Sequence, residues 1–220
     1  MAMAEVEQVT WFPSSYPPRI SQKLKDGAPV VQAYEAAMAE LEETLKGEVT
    51  TDGTCVLCCT IFGRYLWCAN LGDCRAGLFL LKRPPGLACA VSGVVWLSRD
   101  QTADSESEGQ RIRAAGGDVR NGRIGGLQPS RSLGDFEAKA TVGHGVISIV
   151  PEVHRFEFCA DPAHAEQQAI LICATDGVWD VLRVADICRL IESGLKDLGA
   201  QNPCGNMPTV DHQAILQALA

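Results

Sequence analysis

The chain has 220 residues, of which 46% are hydrophobic and 21% are charged, and these proportions are typical of a globular domain rather than a disordered chain. Its formal net charge of -8 argues against nucleic acid or an anionic membrane as the main partner and suits a protein that handles cations or basic partners. No apolar window reaches the length of a membrane-spanning helix, and the N-terminus lacks the apolar run of a secretory signal.

The ten cysteines lie mostly within apolar runs such as CVLCCTIF and ILICAT. A free cysteine in such a run behaves as a small hydrophobic residue, so the pattern favours a reducing compartment over a disulfide framework. A zinc site at Cys55 and Cys58 would need a second pair of ligands at suitable spacing, and the sequence offers none. We therefore expect core cysteines in an intracellular protein, cytoplasmic or nuclear.

The first half of the chain predicts a leader, a helix and a run of strands. Residues 1–28 are rich in Pro and Ser and are expected to form the leader, in which EVEQVTWF could be one strand. Apolar residues at helical spacing then predict a helix that starts at Pro29 and ends at Gly47. The pattern next changes to short apolar runs that predict an antiparallel meander, namely TCVLCCTIF, YLWCANL, CRAGLFLL and LACAVSGVVWLS.

The second half predicts a short helix, a loop, two strands and a helical end. EGQRIRAAGG is expected to be helical, and VRNGRIGGLQPSRSLGDFEAK is expected to be a glycine-rich loop. The remaining segments are two strands and then two helices, VISIVPEVHRFEF, AILICAT, WDVLRVADICRLIESGLKDLG and TVDHQAILQALA. Strands followed by helices without strict alternation predict an α+β layered domain over residues 29–220.

Three aspartates stand at predicted strand ends. Asp176 and Asp180 follow AILICAT, and Asp73 follows a strand and a glycine in ANLGDCRAG. A helical turn after Asp176 would bring the carboxylates of Asp176 and Asp180 to the same side. Carboxylate oxygens suit Mg²⁺ or Mn²⁺, whereas strand-end aspartates also serve as helix caps and turn residues. The local pattern leaves both interpretations open.

Four segments, in this order, resemble successive motifs of the metal-dependent PPM-type protein serine/threonine phosphatases: TTDGTCVLCCTIFGRYLWCANLGDCRAGLF, LSRDQTADSESEGQRIRAAGGDV, RIGGLQPSRSLGD and AILICATDGVWDVL. The resemblance implies an antiparallel β-sandwich of two sheets flanked by helices. It also implies a two-metal centre in which Mg²⁺ or Mn²⁺ activates a water that attacks phosphorus. The partners it implies are phosphoprotein substrates or components of a kinase pathway.

The resemblance assigns roles to five residues. Asp176 matches a metal-binding aspartate of the family, and Asp180 and Asp73 match positions that help to hold an additional, weaker metal ion. Arg131 and Asp135 match a motif near the flap that shapes the substrate cleft, where we expect a structural Arg–Asp pair that fixes a loop.

Other motifs of the family have no counterpart in the sequence. The Met-Glu-Asp and Asp-Gly-His-Gly-Gly segments and the closing Asp-Asn motif, which supply further metal ligands, are not found, so residues 29–220 predict a partial domain. Neighbouring divalent ions need several anionic ligands, so we expect at most one weakly held ion. Two functions stay open: a phosphatase whose chain lacks terminal parts of the site, and an inactive pseudophosphatase that binds other proteins.

Overall fold

The structure, a computed structural model, describes residues 16–62, 64–82, 89–157 and 168–201. These residues form helices and short strands that alternate irregularly along the chain. In chain order they are α1 (Tyr16–Lys25), α2 (Val30–Leu45), β1 (Gly53–Thr54), β2 (Val56–Phe62), β3 (Tyr65–Leu71), β4 (Arg75–Lys82), β5 (Ala90–Trp96), α3 (Glu106–Ala114), β6 (Leu133–Gly134), α4 (Phe136–Val142), β7 (Glu152–Glu157), β8 (Gln168–Ala174), α5 (Asp176–Trp179) and α6 (Val184–Gln201).

The strands form two three-stranded sheets, and every pairing within them is antiparallel. The first sheet has the strand order β2-β3-β7 and the second has the order β5-β4-β8. The short strands β1 and β6 pair separately. The predicted α+β fold with antiparallel sheets flanked by helices is therefore confirmed.

Three apolar clusters hold these layers together. On one side α1 and α2 pack on the first sheet, where Met38 of α2 and Leu71 of β3 are completely buried. A second cluster joins the two sheets, with Leu66 of β3 and Leu78 of β4 at its centre. On the far side Leu195 of α6 packs against the second sheet. The order of layers is thus helices, sheet, sheet and helix, which covers both outer sheet faces.

The strand register brings two loops to the same end of the second sheet. Arg75, the first residue of β4, pairs with Ala174, the last residue of β8. The turn 72–74 that precedes β4 and the segment 175–180 that follows β8 therefore emerge side by side. These two segments carry the three aspartates that the sequence analysis singles out.

Most predicted elements are present close to their expected bounds. The helix predicted between Pro29 and Gly47 is α2, and the strand runs correspond to β2, β3, β4, β5, β7 and β8. EVEQVTWF and TVDHQAILQALA lie outside the described residues. No helix among the described residues is long and apolar enough to cross a membrane.

The structure differs from the sequence prediction in three helices. The single helix expected after Trp179 is divided, because the carboxylate of Asp186 accepts a hydrogen bond from the backbone N–H of Arg183 at 3.2 Å and so starts a new helix, α6. The helix α4 follows Asp135, whose φ of +50° turns the chain within the segment expected to be a loop. The helix α1 lies within the segment assigned to the leader and packs against α2.

Candidate functional site

Asp73 occupies a tight turn between β3 and β4. The turn requires Gly72, whose φ is +109° and whose added Cβ would lie 2.2 Å from the Cys55 sulfur. The side chain of Gln101 fixes the turn by accepting a hydrogen bond from the Gly72 N–H at 2.8 Å. Asp73 is only 9% exposed, and its Oδ1 accepts a hydrogen bond from the Cys55 thiol at 3.1 Å. This carboxylate is therefore held in place by a neutral donor.

Asp176 and Asp180 stand at the two ends of α5. Asp176 is the first residue of this one-turn helix, and its Oδ1 accepts a hydrogen bond from the Gly177 N–H at 2.8 Å. Asp180 ends the helix, with its N–H donating to the Asp176 carbonyl at 2.8 Å. Both side chains are exposed. The helical turn that would bring the two carboxylates to the same side is therefore present.

The charges of the aspartates act on two residues at the start of β4, Cys74 and Arg75, next to which the strand register places the aspartates. Burial, followed by the charges of Asp73, Asp176 and Asp100, raises the pKa of the Cys74 thiol to about 12. Asp180 acts on the next residue, since its charge helps to raise the pKa of Arg75, after the larger effect of the hydrogen bond from Arg75 to Asp100. The three predicted site residues thus share one corner of the molecule.

This corner does not amount to a complete metal site. Among the described residues, no group of three or more His, Cys, Asp and Glu side chains is arranged to hold a metal ion. A magnesium or manganese ion is usually bound by one or two carboxylates together with waters and substrate oxygens, but a pair of ions needs more anionic ligands. The ligands described here therefore do not fit a two-metal centre.

An arginine that no sequence motif singled out lies between two tryptophans, next to the aspartates. The Arg75 guanidinium carbon lies 5.2 Å from the Trp96 ring centroid and 5.8 Å from that of Trp179. Its Nε donates to Asp100 Oδ1 at 2.8 Å, and a second nitrogen bonds Oδ2. The Trp179 indole N–H donates to the backbone carbonyls of Arg75 and Ala174. These contacts fasten α5 to the end of the second sheet.

The expected pair between Arg131 and Asp135 is wrong. Arg131 instead donates two hydrogen bonds to Glu108 of α3, at 2.5 and 3.1 Å. Glu108 is 3% exposed and also accepts hydrogen bonds from Ser130 at 2.6 Å and Arg111 at 2.8 Å. Burial alone would raise the pKa of Glu108, but these hydrogen bonds outweigh burial and lower it to about 2. The expected structural role of Arg131 is nevertheless consistent with this loop-fixing network.

Comparison with known proteins identifies the family to which the chain belongs. The family "Protein phosphatase 2C" matches residues 14–207 of the chain. The chain therefore belongs to the protein phosphatase 2C family, as the resemblance to PPM-type phosphatases predicted.

Two relatives illustrate the similarity in sequence. "Probable protein phosphatase 2C 47" of Oryza sativa subsp. japonica is 33% identical over 147 residues, which are 66% of this chain and 34% of that protein. "Protein phosphatase 1A" of Bos taurus is 34% identical over 132 residues, which are 58% of this chain and 31% of that protein. The chain thus spans about a third of the length of the curated relatives it matches.

Solved structures support the fold. A serine-threonine phosphatase 2C from Toxoplasma gondii is similar over 95% of this chain and 65% of its own length, with a TM-score of 0.60 and 22% identity. A C. elegans sex determining protein is similar over 81% of this chain and 42% of its own length, with a TM-score of 0.63 and 20% identity. At these identities the likeness establishes the fold alone.

Proposed function

We propose that this chain forms part of a metal-dependent protein serine/threonine phosphatase in which Asp176 contributes a carboxylate to a metal site. The convergence of Asp73, Asp176 and Asp180 at one end of the second sheet supports this proposal. Family membership supports it as well, because phosphatases of this family generally depend on Mg²⁺ or Mn²⁺. The substrates would be phosphoproteins.

The described residues would supply three negatively charged carboxylates in fixed positions, but they do not make up a complete active site. Asp73 is held by the Cys55 thiol, and Asp176 and Asp180 are held on a helix that Trp179 fastens to the sheet. These carboxylates would attract a divalent cation to the corner, because no basic side chain forms an ion pair with any of the three among the described residues. Further ligands would have to come from outside this set, so no step of the reaction is assigned to it.

The first test is release of phosphate from an aryl phosphate and from a phosphoserine peptide, with and without Mn²⁺. The wild-type chain is compared with Asp176→Asn, and with Asp118→Asn as the matched control, since Asp118 is an exposed surface aspartate paired with Arg120. We expect Mn²⁺-dependent turnover that Asp176→Asn abolishes and Asp118→Asn retains. Turnover that survives Asp176→Asn would overturn the role of this carboxylate.

A second candidate function is a catalytically inactive phosphatase-like module that binds phosphoproteins or kinase-pathway proteins. Its support is the shortage of metal ligands among residues 16–62, 64–82, 89–157 and 168–201. A cooperatively folded chain that binds a phosphoserine peptide equally well with Mn²⁺ and with EDTA, and that releases no phosphate, would favour this function over the first.

For either function we propose a reducing compartment, the cytoplasm or the nucleus. The support is that the eight cysteines of the described residues are free thiols, five of them buried. Cys58, which the sequence analysis weighed as a zinc ligand, is 1% exposed and packs in the first apolar cluster.

A further inference from the structure

A cavity of about 420 Å³ opens beside the arginine that lies between the two tryptophans. Its walls are formed by the end of β5, the segment that follows it and the start of β4, and the lining residues are Arg75, Trp96, Ser98, Arg99 and Asp100. It is a depression that is broadly open to solvent, so it suits one side chain of a bound peptide segment better than an enclosed small molecule. None of the roles assigned above uses this cavity.

Two of the lining residues, Arg75 and Asp100, neutralise each other. The Arg75 guanidinium lies near the rings of Trp96 and Trp179. It also forms a bidentate ion pair with Asp100, so its positive charge is already compensated. Asp180 adds further negative charge near Arg75. Arg75 therefore shapes the cavity but does not attract an anionic ligand.

Arg99 differs from Arg75 in every one of these respects. Its side chain is exposed, and its guanidinium has no hydrogen bond or ion pair within the part of the chain that the structure describes. It lies beside Trp96, which is 40% exposed although it is a large apolar residue. The Ser98 hydroxyl oxygen accepts a hydrogen bond from the Ala76 N–H at 2.9 Å, which leaves the hydroxyl proton available for donation. A free cation, an exposed aromatic ring and a hydroxyl thus line one cavity.

The cavity is next to the candidate metal site. Trp179, which contacts Trp96 edge-on with ring centroids 5.4 Å apart, belongs to the same helical turn as Asp176 and immediately precedes Asp180. A phosphopeptide whose phosphate approached the aspartate corner would therefore pass the cavity with a neighbouring residue. Arg75 of the cavity lining is paired with Asp100, and Arg183, which follows α5, is paired with Asp186. Arg99 is therefore the lining residue whose positive charge can attract an anionic side chain.

We propose that this cavity is a recognition site for an acidic residue that flanks the phosphorylated residue of the substrate, with Arg99 binding the carboxylate and Trp96 contacting the aliphatic part of the side chain. The proposal rests on the proposed function for its phosphoprotein substrate. It adds a sequence preference, which neither the family nor the aspartates supply. A charge-assisted bond from guanidinium to carboxylate is among the stronger polar contacts in proteins.

Peptide binding without metal tests this site separately from catalysis. Two labelled phosphoserine peptides of equal length are compared, one with glutamates beside the phosphoserine and one with lysines, in EDTA, by fluorescence anisotropy. We expect the glutamate peptide to bind about tenfold more tightly, a ratio that corresponds to about 1.4 kcal/mol. Arg99→Glu should remove or reverse this ratio, and Arg99→Lys should retain part of it.

The matched control is Arg113→Glu, which makes the same change of charge at an exposed arginine on α3, outside the cavity. Equal loss of preference in Arg113→Glu and Arg99→Glu would overturn the proposal, because it would show only the effect of net charge. An unchanged preference in Arg99→Glu would also overturn it. If glutamate preference is lost in Arg99→Glu while Mn²⁺-dependent turnover is absent, the recognition site stands and the catalytic role of the chain fails.

Discussion

Two buried carboxylates, those of Glu108 and Asp73, have opposite kinds of hydrogen-bond partner. Glu108 is buried and accepts hydrogen bonds from Arg111, Ser130 and Arg131, so its negative charge is matched by two guanidinium groups. Asp73 is also buried, but its hydrogen-bond donor is the neutral Cys55 thiol. Glu108 is thus neutralised within the protein, whereas Asp73 has no cationic partner among the described residues, as its proposed metal role requires.

The largest expected effect is at Glu108. Replacement by Ala leaves Arg111 and Arg131 without their buried partner, and the loss of one member of such a network typically costs about 3 kcal/mol or more. Urea unfolding of Glu108→Ala measures the loss. The control is Asp118→Ala, which breaks an exposed ion pair with Arg120 and should change the free energy of unfolding by only about 0.5 kcal/mol. If Glu108→Ala lowers the free energy of unfolding by less than about 1 kcal/mol, the structural role that separates Glu108 from Asp73 is contradicted.

Glu108 also predicts how stability depends on pH. Its pKa is about 2 in the folded protein against an ordinary value of 4.5, so its contribution is present above about pH 4.5 and is lost as the pH falls towards 2. Unfolding curves between pH 6 and pH 2, run for the wild type and Glu108→Gln, should converge at the acid end. Parallel curves would show that another group sets the acid limit.

Gly72→Ala tests the turn that carries Asp73. The φ of +109° is unfavourable for alanine, and the new Cβ would meet the Cys55 sulfur at 2.2 Å, so we expect a loss of about 2–3 kcal/mol. Gly116→Ala is a control that separates the two causes, because Gly116 has a φ of +83° and an added Cβ would meet nothing within 4 Å. Equal losses in the two variants would mean that the backbone angle alone matters and that the contact with Cys55 relaxes.

Trp179→Phe tests the attachment of α5. Phenylalanine retains an aromatic ring but loses the N–H that donates to the carbonyls of Arg75 and Ala174, so we expect a loss of about 1–2 kcal/mol in thermal or urea unfolding. Trp96→Phe is the control, since the Trp96 indole N–H has no hydrogen bond among the described residues. If Trp96→Phe lowers the free energy of unfolding as much as Trp179→Phe does, then ring packing rather than the indole hydrogen bonds attaches α5 to the sheet.

The smallest effect on stability, and the most informative about the aspartates, is expected for Asp176→Asn. Without metal its free energy of unfolding should stay within about 0.5 kcal/mol of the wild type, because Asp176 is exposed and forms only a local hydrogen bond. Mn²⁺ at ten times its Kd should stabilise the wild type by about 1.4 kcal/mol. Calorimetric scans with and without Mn²⁺ should show this gain in the wild type and in Asp118→Asn but not in Asp176→Asn. Equal gains in all three proteins would contradict a metal site at Asp176.

The sequence was sufficient to predict elements whose signal is local. Strands such as β3 and β4 are apolar runs bounded by glycine or charged turns, and α2 has a clear helical period, so these were predicted close to their bounds. The short helix α4 has only seven residues and begins after a residue in the left-handed conformation, so its pattern was too weak to recognise.

Contacts between distant segments could not be predicted in the same way. The positions of Asp176 and Asp73 at strand ends followed from the sequence, and their convergence follows from the pairing of β4 with β8. The partner of Arg131 was predicted wrongly because the nearby Asp135 was the obvious choice in sequence, whereas the actual partner, Glu108, lies 23 residues away on α3. The pair formed by Arg75 and Asp100 spans 25 residues and likewise depends on the sheet.

The contact between Trp96 and Trp179 offers a way to follow the attachment of α5 by spectroscopy. The two indole rings lie 5.4 Å apart at an angle of 79°, an edge-to-face arrangement. Because the rings are this close, we expect their electronic transitions to couple and to give a paired positive and negative band in circular dichroism. One ring belongs to β5 and the other to the helical turn that starts with Asp176. The bands should therefore disappear whenever that turn leaves the sheet, so that its attachment can be followed in solution without a label.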